Sequence, residues 1–422
     1  MKLSRIFQKV LMLLLAGLFL LPSVLYGAKK KDPPGEKNIL SKSHLGALKF
    51  RSLGPAIASG RIADFAVNPE NPAEYYVGTA SGGLWKTTNN GTTFESIFDK
   101  QAVYSIGCLA IDTKNPNIVW VGTGENNTQR NLAYGDGVYK TLDGGKTWKN
   151  MGLKNSEHIG KIIIDSRNSD VVYVASQGPA WGPGGERSLY KTTDGGKSWN
   201  AILTIGEYTG ISDLEIDPGN PDILYASSYQ KERRVYSKID GGPESGIHKS
   251  TDAGKTWKKL TKGLPSGDVG KIGLALSPVN PDVIYAIIEL PGNKGGFYRS
   301  QDMGESWEKR SDEVAGSPQY YQEIYADLID VDRVISMDVR NMVSDDGGKT
   351  FYPLGEKNKH VDNHAFWMDP IYPNHYLMGC DGGVYESFDR GQNWIYKSNL
   401  PITQFYHVRT DNSYPFYNVY GG

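Results

Sequence analysis

Thr192–Trp199 reads TTDGGKSW, and close copies of this stretch recur along the chain and decide the fold. Each copy has Ser or Thr, any residue, Asp or Asn, any residue, Gly, two more residues and an aromatic residue. The pattern predicts a tight turn, because the carboxylate accepts backbone N–H groups and Gly tolerates positive φ. We assign this structural role, and no catalytic one, to the Asp or Asn of what we call the Asp-turn motifs: Asn89, Asp143, Asp194, Asp252, Asp302, Asp346 and Asp389.

A second repeated pattern precedes most of these motifs and completes a repeating unit. An apolar strand ends in a turn with Asp, Asn or Ser and usually Pro, and a strand rich in Val, Ile and Tyr follows, as in AIDTKNPNIVWVG at 110–122. Each unit then has four short strands, A to D, and the Asp-turn motif joins C to D. Motif spacings of 43 to 58 residues suit one propeller blade. We therefore predict an all-β fold, a seven-bladed β-propeller of four-stranded antiparallel blades over residues 60–400.

The two ends of the chain differ from the repeats. Basic residues followed by an apolar run at 10–21 predict a signal peptide over residues 1–28, so we expect a secreted or periplasmic protein. Residues 29–59 read as an N-terminal extension with a first strand, and no later segment is apolar enough to span a membrane. Residues 401–422 either begin a further blade or second propeller, or close the ring.

Composition limits the function classes. A formal net charge of −1 gives no electrostatic attraction for nucleic acid. The two cysteines, Cys108 and Cys380, exclude a disulfide framework and read as small buried apolar residues. Nothing in the sequence indicates a cofactor.

Insertions between strands B and C predict the binding face. The span from Asn71 to Asn89 is 18 residues, whereas the corresponding spans of the next three blades are 28, 26 and 32 residues. These insertions lie opposite the Asp-turn motifs and carry aromatic and Arg side chains that suit a glycan or a polypeptide. The candidate ligand-binding residues, with His364 from blade 7, are Arg130, Trp181, Arg187, Tyr229, Arg233 and Arg234.

Acidic residues directly after strand B are the candidate catalytic groups. Glu125, Glu289 and Asp381 hold this position in blades 2, 5 and 7, and a pair of such carboxylates could hydrolyse a glycoside. On a strand, His360, Asp362 and His364 would share one face. We interpret them as a hydrogen-bonded cluster rather than a metal site.

The repeats and their flanks also carry a resemblance to known families. The Asp-turn motifs, with FRSLGPAIASGRIADFAVNP at 50–69 and GTASGGLWKTTNNGTTF at 78–94, resemble the Asp-box propellers. That superfamily includes sialidases, sortilin (Vps10) propellers, xyloglucanase-type glycoside hydrolases and photosystem II assembly factors. The chain is most similar to secreted bacterial BNR-repeat proteins described as glycosyl-hydrolase-like or sortilin-like. The resemblance implies the propeller fold.

The resemblance is weaker at the catalytic positions. The xyloglucanase-type enzymes carry a catalytic Asp in Thr-Asp-x-Gly-Gly after the first strand B, where this chain has Thr79-Ala80-Ser81-Gly82-Gly83. The Arg triad of sialidases is not matched. We therefore expect a binding propeller for a polypeptide or glycan, with glycoside hydrolysis as the alternative.

Overall fold

A computed structural model of the protein describes residues 59–127 and 132–421. Within them the chain folds into seven antiparallel blade sheets and one separate two-stranded sheet, and strand A of each blade contacts strand A of the next. Blade 1 also contacts blade 7, so the sheets form a closed ring around a central channel. The predicted seven-bladed, all-β propeller is confirmed. The predicted signal peptide and N-terminal extension up to residue 58, as well as Arg130, lie outside the described residues.

The four strands of each blade follow in chain order from the channel to the outside. Strands A are Ile62–Val67, Ile106–Ile111, Ile159–Ile164, Thr209–Ile216, Ile272–Leu276, Ile324–Ala326 and Asn363–Met368. Strands B are Tyr75–Thr79, Val119–Thr123, Val172–Ser176, Leu224–Arg233, Ile284–Ile288, Val334–Ser336 and Tyr376–Cys380. Strands C are Leu84–Thr87, Val138–Thr141, Leu189–Thr192, Gly246–Ser250, Gly296–Ser300, Met342–Ser344 and Gly383–Ser387. Strands D are Glu95–Ser96, Lys149–Asn150, Asn200–Leu203, Lys258–Lys259, Glu308–Ser311, Tyr352–Pro353 and Ile395–Tyr396.

Blade 4 departs from the four-strand plan. Its strand B continues to Arg233, and the B–C insertion folds back as a short fifth strand, Lys238–Asp240, which pairs with Lys231–Arg233. One 3-10 turn, Pro291–Asn293, lies in the B–C loop of blade 5. Backbone pairing thus orders part of the B–C insertion of blade 4, although the sequence repeat predicts only four strands in each blade.

The Asp-turn motif has the hydrogen bonding that its sequence predicts. In blade 3, Asp194 Oδ1 accepts from the Ser198 N–H at 3.0 Å, and Thr192 Oγ1 accepts from the Gly196 N–H at 2.9 Å. Gly196 has φ 91°. The motif's Trp199 donates from Nε1 to Met151 O of blade 2 at 2.8 Å, so the aromatic residue ties two blades together.

A basic residue directly before the motif links neighbouring blades. Lys140 on strand C of blade 2 donates from Nζ to Gly195 O of blade 3 at 3.3 Å and lies 4.8 Å from the Trp120 ring centroid. Lys86 and Lys191 make the same two kinds of contact in blades 1 and 3. The stem of each lysine covers an aromatic face while its ammonium reaches the next motif.

Blades 7 and 1 close the ring without exchanging a strand. Lys397 donates from Nζ to Asn90 O at 3.0 Å, and Asn399 donates to Gly91 O at 3.0 Å. Beyond them, Val408–Thr410 and Val419–Gly421 pair with each other as a separate two-stranded sheet, and both strands are exposed.

The propeller has two distinct faces. Turns A–B and the Asp-turn motifs lie on the lower face, while the B–C loops and the D–A connections lie on the upper face. Between them, half-buried charged side chains from strands A, including Asp64, Lys161 and Asp213, line a cavity of about 40 Å³ inside the ring. Asp64 accepts from the Phe65 N–H and, across the blade boundary, from the Leu109 N–H at 2.7 Å. Burial raises the pKa of Asp64 to about 7.

Candidate functional site

The upper mouth of the channel is organised by Arg61, which directly precedes strand A of blade 1. Its Nε and Nη2 donate to the two oxygens of Asp381 in blade 7, at 2.6 and 3.1 Å. Its Nη1 donates to Glu125 Oε1 in blade 2 at 2.7 Å. Its guanidinium carbon lies 4.5 Å from the Tyr320 ring centroid. We call Arg61, Glu125, Asp381 and the residues packed on them the Arg61 cluster.

His364 and two tyrosines complete the Arg61 cluster. His364 Nε2 lies 3.1 Å from Asp381 Oδ1, and its ring stacks on Tyr321 with centroids 5.0 Å apart. Burial opposes ionisation of Asp381, but His364 and Arg61 outweigh it and hold the pKa of Asp381 at about 2. Asp381 is therefore a carboxylate at any ordinary pH and cannot donate a proton.

Two of the three candidate acids meet in this cluster. Glu125 and Asp381 share Arg61, and Glu125 Oε2 also accepts from the Ala133 N–H at 3.2 Å. Glu289 instead accepts from the Lys271 N–H at 3.0 Å in blade 5, and burial raises its pKa. The described contacts do not connect Glu289 to Arg61.

His360, Asp362 and His364 do not share one face of a strand, so the prediction from their spacing is wrong. Strand A of blade 7 begins at Asn363, and Asp362 has φ 63°, so the three residues do not alternate along one strand. His360 contacts Val361 O, whereas Asp362 accepts from the Tyr321 hydroxyl at 2.9 Å. Across residues 59–127 and 132–421, no group of three or more His, Cys, Asp or Glu side chains is arranged to hold a metal ion.

The candidate ligand-binding residues of the B–C loops fall into two groups. Trp181 is exposed and lies beneath Arg233, whose guanidinium carbon is 4.9 Å from its ring centroid. Arg234 is half-exposed and pairs with Glu232. Arg187 and Tyr229 are buried, and Tyr229 donates to Asp240 at 3.1 Å. The loops of blades 3 and 4 thus meet, with Trp181 on the surface.

Four residues of this face were not predicted from the sequence. Arg61 lies directly before a strand, and Tyr320 and Tyr321 lie in a D–A connection, whereas the binding residues were predicted mainly from the B–C loops. Glu313, in the same D–A connection as the two tyrosines, was also missed. Burial and the nearby Asp338 raise the pKa of Glu313 to about 7. Arg61 directly precedes an innermost strand in GRIADF at 60–65, and a charged residue at that position predicts a group at the mouth of the channel.

The chain is similar in sequence to xyloglucanases. It is 25% identical over 289 residues to a xyloglucanase from Paenibacillus sp, which covers 64% of this chain and 25% of that protein. It is 24% identical over 377 residues to a probable oligoxyloglucan-reducing end-specific xyloglucanase from Neosartorya fischeri, covering 76% of this chain and 43% of that protein. The chain thus spans less than half the length of these curated relatives.

Solved structures share the propeller fold of this chain. A GH74 xyloglucanase from Xanthomonas campestris superimposes with a TM-score of 0.61 at 14% identity, covering 86% of this chain and 57% of that one. No family model matches the chain. Within the described residues, no helix is long and apolar enough to cross a membrane.

Ala80 lies beside the Arg61 cluster. Its N–H donates to Arg61 O at 3.0 Å, and its side chain is buried. The position at which the family resemblance would place a catalytic Asp therefore carries a methyl group. The nearest acidic groups connected to it through Arg61 are Asp381 and Glu125.

Proposed function

We propose that this propeller binds a glycan on its upper face and hydrolyses it at the Arg61 cluster. The observation that carries the proposal is Asp381, a carboxylate kept ionised at the channel mouth by Arg61 and His364. Glycoside hydrolysis needs one ionised carboxylate as nucleophile or base and one protonated carboxyl as acid. The names of the relatives, xyloglucanases, support a glycan as the substrate class.

Glu313 is the proton donor in this proposal. Its carboxyl has a pKa of about 7, so it stays protonated under mildly acidic conditions. The connection that carries Glu313 also carries Tyr320 and Tyr321, which contact Arg61 and His364. One D–A connection would thus supply both the proton donor, Glu313, and the aromatic residues that surround the ionised Asp381.

Release of reducing ends from polysaccharides tests the proposal. We expect the wild-type chain to release sugar from at least one β-glucan, and the rate to fall above about pH 7 as Glu313 loses its proton. Asp381→Asn and Glu313→Gln should each lower the rate by roughly 100-fold or more, and Glu313→Gln should also remove the alkaline fall. Asp268→Asn, an exposed acid in the D–A connection between blades 4 and 5 on the same face, is the matched control. Unchanged rates in both acid variants would exclude this assignment.

Glycan binding without hydrolysis is the second candidate function. Two observations favour it. Arg61 forms ion pairs with both nearby carboxylates, Asp381 and Glu125, and the buried Ala80 carries no acidic group. Retained glycan affinity with no reducing-end release by the wild-type chain, on every polysaccharide tried, would support it. Peptide arrays probed in parallel would show whether a polypeptide is bound instead. Together with the N-terminal sequence, either function suits an exported protein.

A further inference from the structure

Trp181 is an exception among the tryptophans of this chain. The chain has nine, all within the described residues, and Trp181 alone has an exposed side chain, with 58% of its surface accessible. Others, such as Trp120 and Trp199, pack between neighbouring blades. An exposed indole gains little of the hydrophobic stabilisation that the other eight tryptophans gain from burial. Its exposure therefore points to a role in binding rather than in folding.

The loop that carries Trp181 is held by a buried arginine. Arg187 is 4% exposed, and its guanidinium donates to carbonyl oxygens on both sides of Trp181. The acceptors within the loop are the carbonyls of Gln177 at 2.7 Å, Pro179, Gly182 at 3.0 Å and Gly184 at 3.3 Å. Burial lowers the pKa of Arg187 to about 10. A charge is thus placed in a low-dielectric site to fix the backbone of one surface loop.

Neighbouring connections hold the same loop from both sides. Gly184 N–H donates to Glu207 O at 2.8 Å, and Glu186 accepts from the Asn155 N–H at 2.7 Å. Gly185 has φ 71°, and a Cβ there would lie 2.5 Å from Pro179 Cδ, so glycine is required for this tight packing. The loop is therefore rigid before any ligand arrives.

One face of the Trp181 ring is covered by Arg233 of blade 4, at 4.9 Å. Because the indole remains 58% accessible, the opposite face is open to solvent. Tyr134 and Tyr236, on the B–C loops of blades 2 and 4, are 71% and 82% exposed. The B–C loops of the other four blades carry no aromatic residue.

We infer that Trp181 is a sugar-stacking platform, with Arg187 as the positioning residue that fixes its loop. The ligand is a pyranose ring with equatorial hydroxyl groups, because such a ring presents a flat face of C–H groups to the indole. This inference rests on the proposed glycan function and assigns a binding subsite to the B–C loop of blade 3. It also orients the glycan along the loops of blades 2 to 4.

Binding of cellohexaose, whose hydroxyl groups are equatorial, and of mannohexaose, with an axial hydroxyl on each ring, tests the platform by calorimetry and tryptophan fluorescence. We expect the wild-type chain to bind cellohexaose more tightly, with a change in fluorescence. Trp181→Ala should weaken binding by roughly tenfold or more and abolish the fluorescence change. Tyr372→Ala is the matched control, since Tyr372 is 68% exposed on the lower face.

Arg187→Lys separates positioning from contact. Lysine keeps the charge but cannot reach four carbonyls at once. We expect faster amide hydrogen exchange in residues 178–186 and weaker cellohexaose binding, whereas Trp181→Ala should leave exchange unchanged. Full affinity in Trp181→Ala would overturn the platform while the glycan function stands. A wild-type chain that binds neither oligosaccharide, nor any polysaccharide in the reducing-end assay, would overturn both.

Discussion

At the residue scale, the contrast between Arg61 and Arg167 shows how burial decides what an ion pair contributes. Both arginines contact two carboxylates, Arg61 through Asp381 and Glu125, and Arg167 through Asp165 and Asp222. The Arg61 side chain is 14% exposed, whereas that of Arg167 is 48% exposed. Water therefore screens the ion pairs of Arg167 but has little access to those of Arg61.

We therefore expect Arg61→Met to destabilise the fold by about 3 kcal/mol, because two partly buried carboxylates lose their shared cation. Arg167→Met should cost less than about 1 kcal/mol. Urea unfolding of the two variants measures this difference. Titration of the Asp381 carboxyl by NMR in Arg61→Met should show its pKa rising from about 2. Equal destabilisation by the two variants would contradict the argument from burial.

His375 in blade 7 is a second residue whose charge depends on its surroundings. Its Nδ1 lies 3.0 Å from Asp369 and its Nε2 lies 2.9 Å from Glu386. Burial opposes the imidazolium, but the hydrogen bonds to Glu386 and Asp369 outweigh it and raise the pKa of His375. Glu386 stands where blades 1 to 5 carry Lys or Arg, and in blade 7 Lys397 contacts both Glu386 and the Asn90 carbonyl of the next motif.

This arrangement predicts a pH-dependent stability. A raised folded-state pKa gives stabilisation that is complete below the ordinary histidine pKa and is lost as pH rises through the raised value. We expect His375→Gln to cost about 2 kcal/mol under mildly acidic conditions and progressively less at higher pH. Urea midpoints measured from about pH 5 to about pH 9 check it. A variant with the wild-type slope against pH would contradict the assignment.

At the scale of elements, the contact of strand C with the next Asp-turn motif joins the blades pairwise. Lys140 combines a charged hydrogen bond to Gly195 O with coverage of the Trp120 ring. Removing the Lys140 ammonium deprives the Gly195 carbonyl of this hydrogen-bond donor. The loss therefore acts on the boundary between blades 2 and 3.

We expect Lys140→Met, which keeps most of the apolar stem, to destabilise the protein by about 2 kcal/mol. Lys146→Met, at an exposed position of the motif in the same blade, should change stability by less than about 0.5 kcal/mol. Equilibrium unfolding in urea compares the two. If both variants unfold at the wild-type midpoint, the lysine contact does not join the blades energetically.

At the scale of the whole molecule, closure depends on side chains that cross from blade 7 to blade 1. Arg61–Asp381 connects the two blades at the upper mouth, and Lys397–Asn90 connects them at the lower, outer side. The strands Val408–Thr410 and Val419–Gly421 pair only with each other among the described strands. Their residues are exposed, so they bury little surface on the ring.

Truncation after Gln404 should therefore leave the ring intact. We expect the midpoint of thermal unfolding to shift by no more than about 2 °C, because the removed strands make no sheet pairing with any blade. Circular dichroism during heating measures this. A variant that fails to fold, or that melts many degrees lower, would show that these strands help to close the ring.

The sequence by itself determined the repeat and therefore the fold. Asp194, Gly196 and Trp199 stand at fixed offsets, and their interactions lie within one turn or with the adjacent blade. Such short-range constraints are visible as periodicity. Trp181 was likewise predicted from the long B–C loops, and Asp381 from its position directly after strand B.

Only the tertiary structure decided which of those residues act together. Arg61 and Asp381 are separated by 320 positions, and ring closure brings them into contact. Arg187 looks like a ligand-binding residue in the sequence, but burial turns it toward the carbonyls of its own loop. Asp362 breaks the expected alternation because its backbone has positive φ. Spacing along a chain encodes local geometry, whereas ring closure, burial and the partner of a charge depend on elements that are distant in sequence.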